Sequence, residues 1–175
     1  MKKKTIISKN PSFIQSINIS KDWCTEWDND FLSDEVFADR IKELLKTKNG
    51  TRGFFAYALS DSECTLLDKL PSSLIFTLRE IGENIVEIII KNLFMSSVQI
   101  LNHQKDKNYD YAERSINISD RCINLLKELD TKLVTKKVNE MLAQIDNMGN
   151  SFDHEIKYTE EQKDFIRDKV NKICE

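Results

Sequence analysis

The sequence predicts an all-α fold, a single-domain bundle of about six to eight helices with one long central helix. Only four glycines and two prolines occur in 175 residues, whereas sheet-rich folds need both at many turns. Apolar residues recur every three or four positions over long segments, as they do on the buried face of a helix. The composition, 40% hydrophobic and 31% charged, is typical of a globular chain, and the length fits one domain.

Residues 1–20 form a polar N-terminal arm that fits two conformations. Asn10 followed by Pro11 favours a short helix with the asparagine as its N-cap. The spacing of Phe13, Ile17 and Ile19 suits an extended arm equally well. Both alternatives stay open at this stage.

An all-helical domain, 21–175, follows the arm. Trp23 and Trp27 are four residues apart and would share one face of a short helix. Ser33 is the predicted N-cap of the next helix, because a serine side chain accepts hydrogen bonds from first-turn amides. Its apolar residues recur at helical spacing and are predicted to be buried: Phe37, Ile41, Leu44 and Leu45.

The stretch 49–58, NGTRGFFAYA, is predicted to be a joint between two helices. Gly50 would end one helix in the left-handed conformation, and Thr51 would cap the next. A strand over 53–59 is the alternative, since bulky aromatic residues also favour strands. No lysine follows Gly53, which excludes a Walker phosphate loop, and this glycine would let another backbone approach closely.

The long central helix is predicted over 72–104, with a possible kink at Gly82. Further helices are predicted from about 109 to 129 and from Asp130 or Thr131 to Gly149. The spacing of Thr159 and Gln162 is that of a capping box and predicts a final helix after it.

Charge and composition limit the classes of partner. The net charge is −3 with both signs interspersed, so nucleic acid is not an expected partner. The basic cluster 2–4 reads as a solvated terminus. The apolar segment 85–101 is interrupted by charged residues, which predicts a buried helix rather than a membrane span. The four cysteines are widely spaced and no secretory signal is visible, so a cytoplasmic protein with reduced thiols is expected.

A polar stripe on the central helix is the predicted ligand- or partner-binding surface. Asn92, Ser96, Gln99 and His103 follow one another at helical spacing, where the same face was apolar one turn earlier. One interpretation is a groove in which the histidine exchanges protons near neutral pH. The other is a helix whose buried face simply rotates from one neighbour to another. The cations predicted to lie nearest to the stripe are Arg79 and Arg114.

Arg52 is a second candidate binding residue, because a cation at a helix start opposes the helix dipole unless an anion compensates it. A solvated arginine is the equally good alternative. Four aromatic residues are candidate interface anchors or core residues: Trp23, Trp27, Tyr109 and Tyr111.

Catalytic and metal-binding patterns are scarce in this sequence. His154 would need metal ligands that the spacing does not supply. No known nucleophile or zinc motif occurs, so no catalytic residue, metal or cofactor is predicted.

Three segments, GTRGFFAYALSD, IIIKNLFMSSVQILNHQ and YAERSINISDRCINLL, resemble a family of small uncharacterised helical proteins from cyanobacterial-type genomes. The resemblance covers about residues 20–170 and includes no catalytic motif. It implies a cytoplasmic helical domain.

We therefore expect a non-enzymatic protein-interaction domain, an adaptor or regulator with a protein partner. The alternative is a small-molecule-binding helical bundle or a minor enzyme that uses the polar stripe. The absence of an assembled nucleophile or phosphate loop favours the first, because helical surface is what the sequence offers in abundance.

Overall fold

A computed structural model describes residues 10–148 and 158–174 of the chain. These residues form eight α-helices and a short 3-10 helix, η1, and contain no strand, so the all-α prediction is confirmed. In chain order the elements are α1 Phe13–Asp28, α2 Asp34–Leu44, α3 Lys48–Ser60, η1 Leu66–Asp68, α4 Ser72–Ile81, α5 Glu83–Lys105, α6 Tyr109–Glu128, α7 Thr131–Met148 and α8 Glu160–Cys174.

The contacts divide the chain into two compact units, 1–80 and 81–175. In the first unit, α1 packs mainly against α3 and also contacts α2, and η1 contacts α3. In the second unit, α5 packs against α6, α7 and α8, most extensively against α6. The predicted division into an arm, 1–20, and a domain, 21–175, stays a prediction, although α1 begins within the predicted arm.

Helix α1 begins at a capping box formed by Ser12 and Gln15. The Ser12 hydroxyl accepts from the Gln15 amide at 3.2 Å, and the Gln15 side-chain oxygen accepts from the Ser12 amide at 2.8 Å. Of the two conformations considered for this segment, the helix is observed and the extended arm is wrong from Phe13 onward. The N-cap is Ser12 rather than Asn10, because only the serine has a glutamine three residues later to complete the box.

Helix α2 begins as predicted, with Ser33 as its N-cap accepting from the Val36 amide at 3.3 Å. Its predicted buried residues are confirmed as core: Phe37, Ile41, Leu44 and Leu45. Trp27 lies over this helix, with its ring stacked on Phe37 at 5.3 Å and its indole N–H donating to Asp34 at 2.8 Å.

The stretch 49–58 lies inside helix α3, so helix is confirmed over strand, but the predicted joint is wrong. Thr47 is the N-cap, since its hydroxyl accepts from the Gly50 amide at 2.9 Å. Gly50 therefore belongs to the first turn and not to a left-handed end. A Cβ at this position would lie 1.8 Å from the Leu44 carbonyl oxygen, so the end of α2 approaches too closely for any side chain.

Gly53 lies where α3 crosses α1, which confirms the predicted close approach of another backbone. A Cβ here would lie 2.4 Å from the Ser16 Cβ and 3.0 Å from both the Ile17 amide nitrogen and the Phe13 carbonyl oxygen. Because two of these three atoms belong to the α1 backbone, a side chain could not be accommodated by a change of rotamer.

The predicted central helix, 72–104, is two helices rather than one. Gly82 has φ 72° and ψ −120°, a conformation that breaks the helix between α4 and α5. This combination of angles is open to glycine and costly for other residues, so the interruption is complete rather than a kink.

Helix α5 is the core helix of the second unit. By length and composition it could cross a membrane, but 56% of its apolar window is buried inside the protein, and no other described helix meets the same criteria. Its surroundings explain this burial, because helices α6, α7 and α8 all pack against it.

The remaining helices begin and end close to their predicted positions. The Asp130 carboxylate accepts from the Leu133 amide at 2.7 Å and caps α7. Thr159 and Gln162 form the predicted capping box of α8, with backbone-to-side-chain distances of 2.9 and 3.2 Å. The predicted end of α7 at Gly149, the basic cluster 2–4 and His154 lie outside the described residues.

Candidate functional site

The polar stripe lies on α5, and its first two residues form hydrogen bonds within that helix. The side-chain amide nitrogen of Asn92 donates to the Ile88 carbonyl oxygen at 2.8 Å, and the Ser96 hydroxyl donates to the Leu93 carbonyl oxygen at 3.0 Å. Ser96 is also buried, with 6% of its surface exposed. Both side chains are therefore folded back on their own helix, as in other helices where serine or asparagine bonds to the preceding turn.

The other two residues of the stripe, Gln99 and His103, are half-buried. The His103 ring lies 5.5 Å from the Tyr111 ring, and the Arg114 guanidinium lies 5.3 Å from the centre of the same ring. We call His103, Tyr111 and Arg114 the Tyr111 cluster. The structure thus brings together two of the predicted site residues, and the residue that joins them is a tyrosine.

The turn between α5 and α6 positions the Tyr111 cluster. Lys107 adopts a left-handed conformation with φ 57°, and the Asn108 amide donates to the His103 carbonyl oxygen at 2.8 Å. This tight reversal places the end of α5 beside the start of α6. On α6, Tyr111 and Arg114 are three residues apart and therefore neighbours on one face.

Exposure separates the four aromatic candidates. Trp23 is buried and Trp27 is half-buried, so both belong to the packing of the first unit. Tyr109 and Tyr111 are 67% and 51% exposed and form surface of the second unit. Of these four aromatic residues, the two tyrosines are therefore the ones available to a partner.

Arg52 is exposed on α3, in the first unit, and its guanidinium lies 5.4 Å from the centre of the Phe13 ring. The contact is a cation–π interaction with α1, and the predicted pairing of Arg52 with an anion stays a prediction. Arg52 is the fifth residue of α3 and not at the helix start, so the dipole argument for an anion partner does not apply to it. Arg79 lies on α4, also in the first unit.

A cavity of about 70 Å³ lies in the first unit beside two cysteines. Cys24, Cys64 and Tyr57 all line this cavity, and each of the three side chains lies close enough to influence the titration of a neighbour. The remaining lining residues are Thr25, Trp27, Asp28, Glu63, Thr65 and Leu66.

The Cys24 thiol and the Tyr57 hydroxyl are held in their protonated forms. The hydrogen bond with Cys64, together with burial, raises the pKa of the Cys24 thiol far above its ordinary value. Burial, reinforced by the neighbouring cysteines, raises the pKa of Tyr57. A thiol attacks as its thiolate, so Cys24 is a weak nucleophile at neutral pH.

Sequence reasoning missed the pairing of Cys24 and Cys64. They are about 40 residues apart, and no spacing rule connects a residue on α1 with one in the connection before η1. Among the described residues, no three His, Cys, Asp or Glu side chains are placed to hold a metal ion.

A family model matches residues 12–173 of the chain, from the N-cap of α1 to the last turn of α8. The chain belongs to this family, described as "Uncharacterised conserved protein UCP020893". The comparisons with curated proteins and with solved structures found no match. The family description names no activity, so the geometry of the sites is what supports a function.

Proposed function

We propose that the protein is a non-enzymatic interaction domain, an adaptor or regulator, that binds a protein partner through the Tyr111 cluster. The observation that carries this proposal is a half-exposed tyrosine ring flanked by a guanidinium and an imidazole on the surface of the second unit. Tyrosine and arginine dominate the binding energy of protein interfaces, because each combines a large contact area with directed hydrogen-bonding groups.

The three side chains of the cluster already lie beside one another within the chain. The Arg114 guanidinium lies over the Tyr111 ring, and the turn that follows His103 holds the backbone of that residue. A side chain that is already placed loses less conformational entropy on binding, which favours affinity. A complementary partner would place an apolar or aromatic side chain near Tyr111 and a carboxylate that accepts from Arg114.

A cytoplasmic location belongs to the same proposal. It is supported by the buried cysteines of the described residues, Cys24, Cys64 and Cys122, none of which is in a disulfide bond. Thiols stay reduced in the cytosol, whereas secreted proteins of this size commonly form disulfides.

The alternative, a small-molecule-binding bundle or an enzyme that uses the stripe, has less support. The side chains of Asn92 and Ser96 donate to carbonyl groups of their own helix, and Ser96 is buried. A ligand could bind to these two side chains only if it replaced their hydrogen bonds to the helix backbone. A metabolite-library thermal-shift screen that raises the melting temperature of the wild-type chain, but not of an Asn92→Ala/Gln99→Ala chain, would favour this alternative.

The interaction can be tested by site-specific photocrosslinking in native lysate. A benzophenone side chain replaces Tyr111 in the full chain, and a matched control carries it at Phe76, which is 68% exposed on α4. We expect a discrete protein adduct from position 111 and not from position 76. Excess unlabelled wild-type chain should suppress the adduct, and excess Tyr111→Ala/Arg114→Ala chain should not. No adduct at position 111, or equal competition by both chains, would contradict the proposal.

A further inference from the structure

We infer that Cys24 and Cys64 are a redox-sensitive pair that a small hydroperoxide converts into an intramolecular disulfide. This modification site lies in the first unit and is independent of the Tyr111 cluster. It rests on the adjacency of two thiols, on the cavity beside them and on the connection that carries one of them.

The two thiols come from different parts of the chain and meet at the cavity. Cys24 is on α1 and Cys64 is in the connection between α3 and η1. A disulfide requires the two sulfur atoms to approach to about 2.05 Å, so at least one of the two segments must move. Cys64 can supply this movement, because it lies outside the helices, whereas Cys24 is fixed within α1.

Two contacts hold the connection against α1 and keep the thiols together. The Asp28 carboxylate accepts from Lys69 at 2.5 Å and from the Thr65 hydroxyl at 3.2 Å. Asp28 is four residues after Cys24, and Thr65 directly follows Cys64, so both contacts fasten the segments that carry the sulfur atoms. The contacts of Asp28 therefore keep the segments that carry Cys24 and Cys64 next to each other.

The cavity gives a small oxidant access to buried sulfur. Cys24 and Cys64 are 6% and 2% exposed, yet the cavity beside them is also lined by exposed residues, among them Thr25, Asp28 and Thr65. Its volume of about 70 Å³ compares with about 30 Å³ for one water molecule in the liquid. Hydrogen peroxide fits this space, whereas a peptide disulfide does not.

The oxidation balances without any further reagent. One Sγ, after losing its proton to solvent, attacks a peroxide oxygen; the O–O bond breaks, a sulfenic acid forms and hydroxide leaves as water after protonation. The second Sγ attacks the sulfenic sulfur; the S–O bond breaks and the hydroxyl group leaves with the thiol proton as water. The two sulfur atoms together lose two electrons, and the peroxide oxygens gain them.

Burial makes this reaction slow and selective. Because both thiols are buried, and burial raises the pKa of Cys24, the pair should react much more slowly than an exposed low-pKa cysteine. Disulfides in cytosolic proteins are usually transient and serve as redox sensors, which fits a pair that responds to sustained oxidation. Oxidation would tie the connection before η1 to α1 covalently.

The test uses the wild-type full chain, reduced and then treated with hydrogen peroxide. Remaining thiols are alkylated in denaturant, and a non-reducing peptide map is analysed by mass spectrometry. We expect a Cys24–Cys64 linked peptide whose mass is lower by two hydrogen atoms than the sum of the two free peptides, and which dithiothreitol separates. The Cys122→Ser chain is the matched control and should form the same link, because Cys122 is buried in the second unit.

A parallel oxidation in urea identifies links that do not depend on the fold. The inference predicts that the Cys24–Cys64 link dominates in the native chain and that other pairings replace much of it in urea. The inference is overturned if native oxidation leaves both thiols alkylatable, or if the native and unfolded chains give the same distribution of links. Neither outcome needs a variant of the pair itself, so a folding defect cannot obscure the result.

Discussion

Replacing Gly53 with alanine should destabilise the first unit, because α3 and α1 touch at this residue. The added Cβ would lie 2.4 Å from the Ser16 Cβ and 3.0 Å from two backbone atoms of α1. Overpacking of this kind costs about 1–3 kcal/mol, and contact with backbone places the substitution near the upper value. The higher helix propensity of alanine compared with glycine offsets about 1 kcal/mol of this cost. We expect the free energy of unfolding to fall by about 2 kcal/mol.

Tryptophan fluorescence is a suitable assay, since both tryptophans of the chain, Trp23 and Trp27, lie on α1. Urea unfolding followed by this signal reports on the first unit and not on the second. Ser60→Ala is the matched control, because Ser60 is exposed at the end of the same helix. Its free energy of unfolding should differ from that of the wild type by no more than about 0.5 kcal/mol, as is typical of surface sites.

A double variant distinguishes the helix contact from other causes. Ser16→Gly removes the side-chain atom closest to the new Cβ, so Ser16→Gly/Gly53→Ala should lose less stability than the two single changes added together. The reasoning is refuted if Gly53→Ala unfolds at the wild-type urea concentration or higher, or if the two losses simply add.

Three further substitutions test individual side chains by urea unfolding. Ser96→Ala should lower the free energy of unfolding by less than about 1 kcal/mol. The buried hydroxyl bonds within its own helix, and the higher helix propensity of alanine offsets part of the loss of that bond; a larger loss would contradict this. Hydrogen bonds from Lys69 and Thr65 lower the pKa of Asp28 from 3.8, so the Asp28 carboxylate stabilises the fold above this pH, and this stabilisation is lost as the pH falls. Asp28→Asn should therefore be less stable than the wild type at pH 7 and should lose less of its stability in acid. Parallel profiles of stability against pH for the two chains would refute the assignment. Burial lowers the pKa of Lys169, which means that its charged form is less favourable in the fold than in the unfolded chain; Lys169→Met should raise stability at pH 7, and a fall would show that the ammonium is needed.

Local signals account for what the sequence predicted correctly. The caps at Ser33 and Asp130 and the box at Thr159 each depend on residues within about one helical turn, so a single sequence contains the whole signal. The helical spacing of Phe37 and Ile41 likewise identified the buried face of α2 without any knowledge of its neighbours.

The errors concern residues whose role is set by distant parts of the chain or by backbone angles. Gly50 is required by the approach of the Leu44 carbonyl oxygen, and the sequence prediction placed the cap at Thr51 whereas the structure places it at Thr47. The break at Gly82 depends on a positive φ that the surrounding helical pattern conceals.

The candidate site was predictable only in part, for the same reason. His103 and Arg114 were identified from residue type, and the turn between α5 and α6 brings both to Tyr111. The helical spacing of Asn92 and Ser96 was read correctly, but their bonds to their own helix were not visible in it. The pairing of cysteines from two distant segments could not be deduced from spacing.

The most direct test of the Tyr111 cluster as a binding surface is a titration of the crosslinked partner, once purified, against three chains. Tyr111→Ala should weaken binding by at least about tenfold, since a central interface tyrosine contributes at least about 1.4 kcal/mol. Phe76 is an exposed aromatic residue in the first unit, and Phe76→Ala should bind within about twofold of the wild type. Wild-type affinity in the Tyr111→Ala chain, or equal weakening in both variants, would contradict the proposed function.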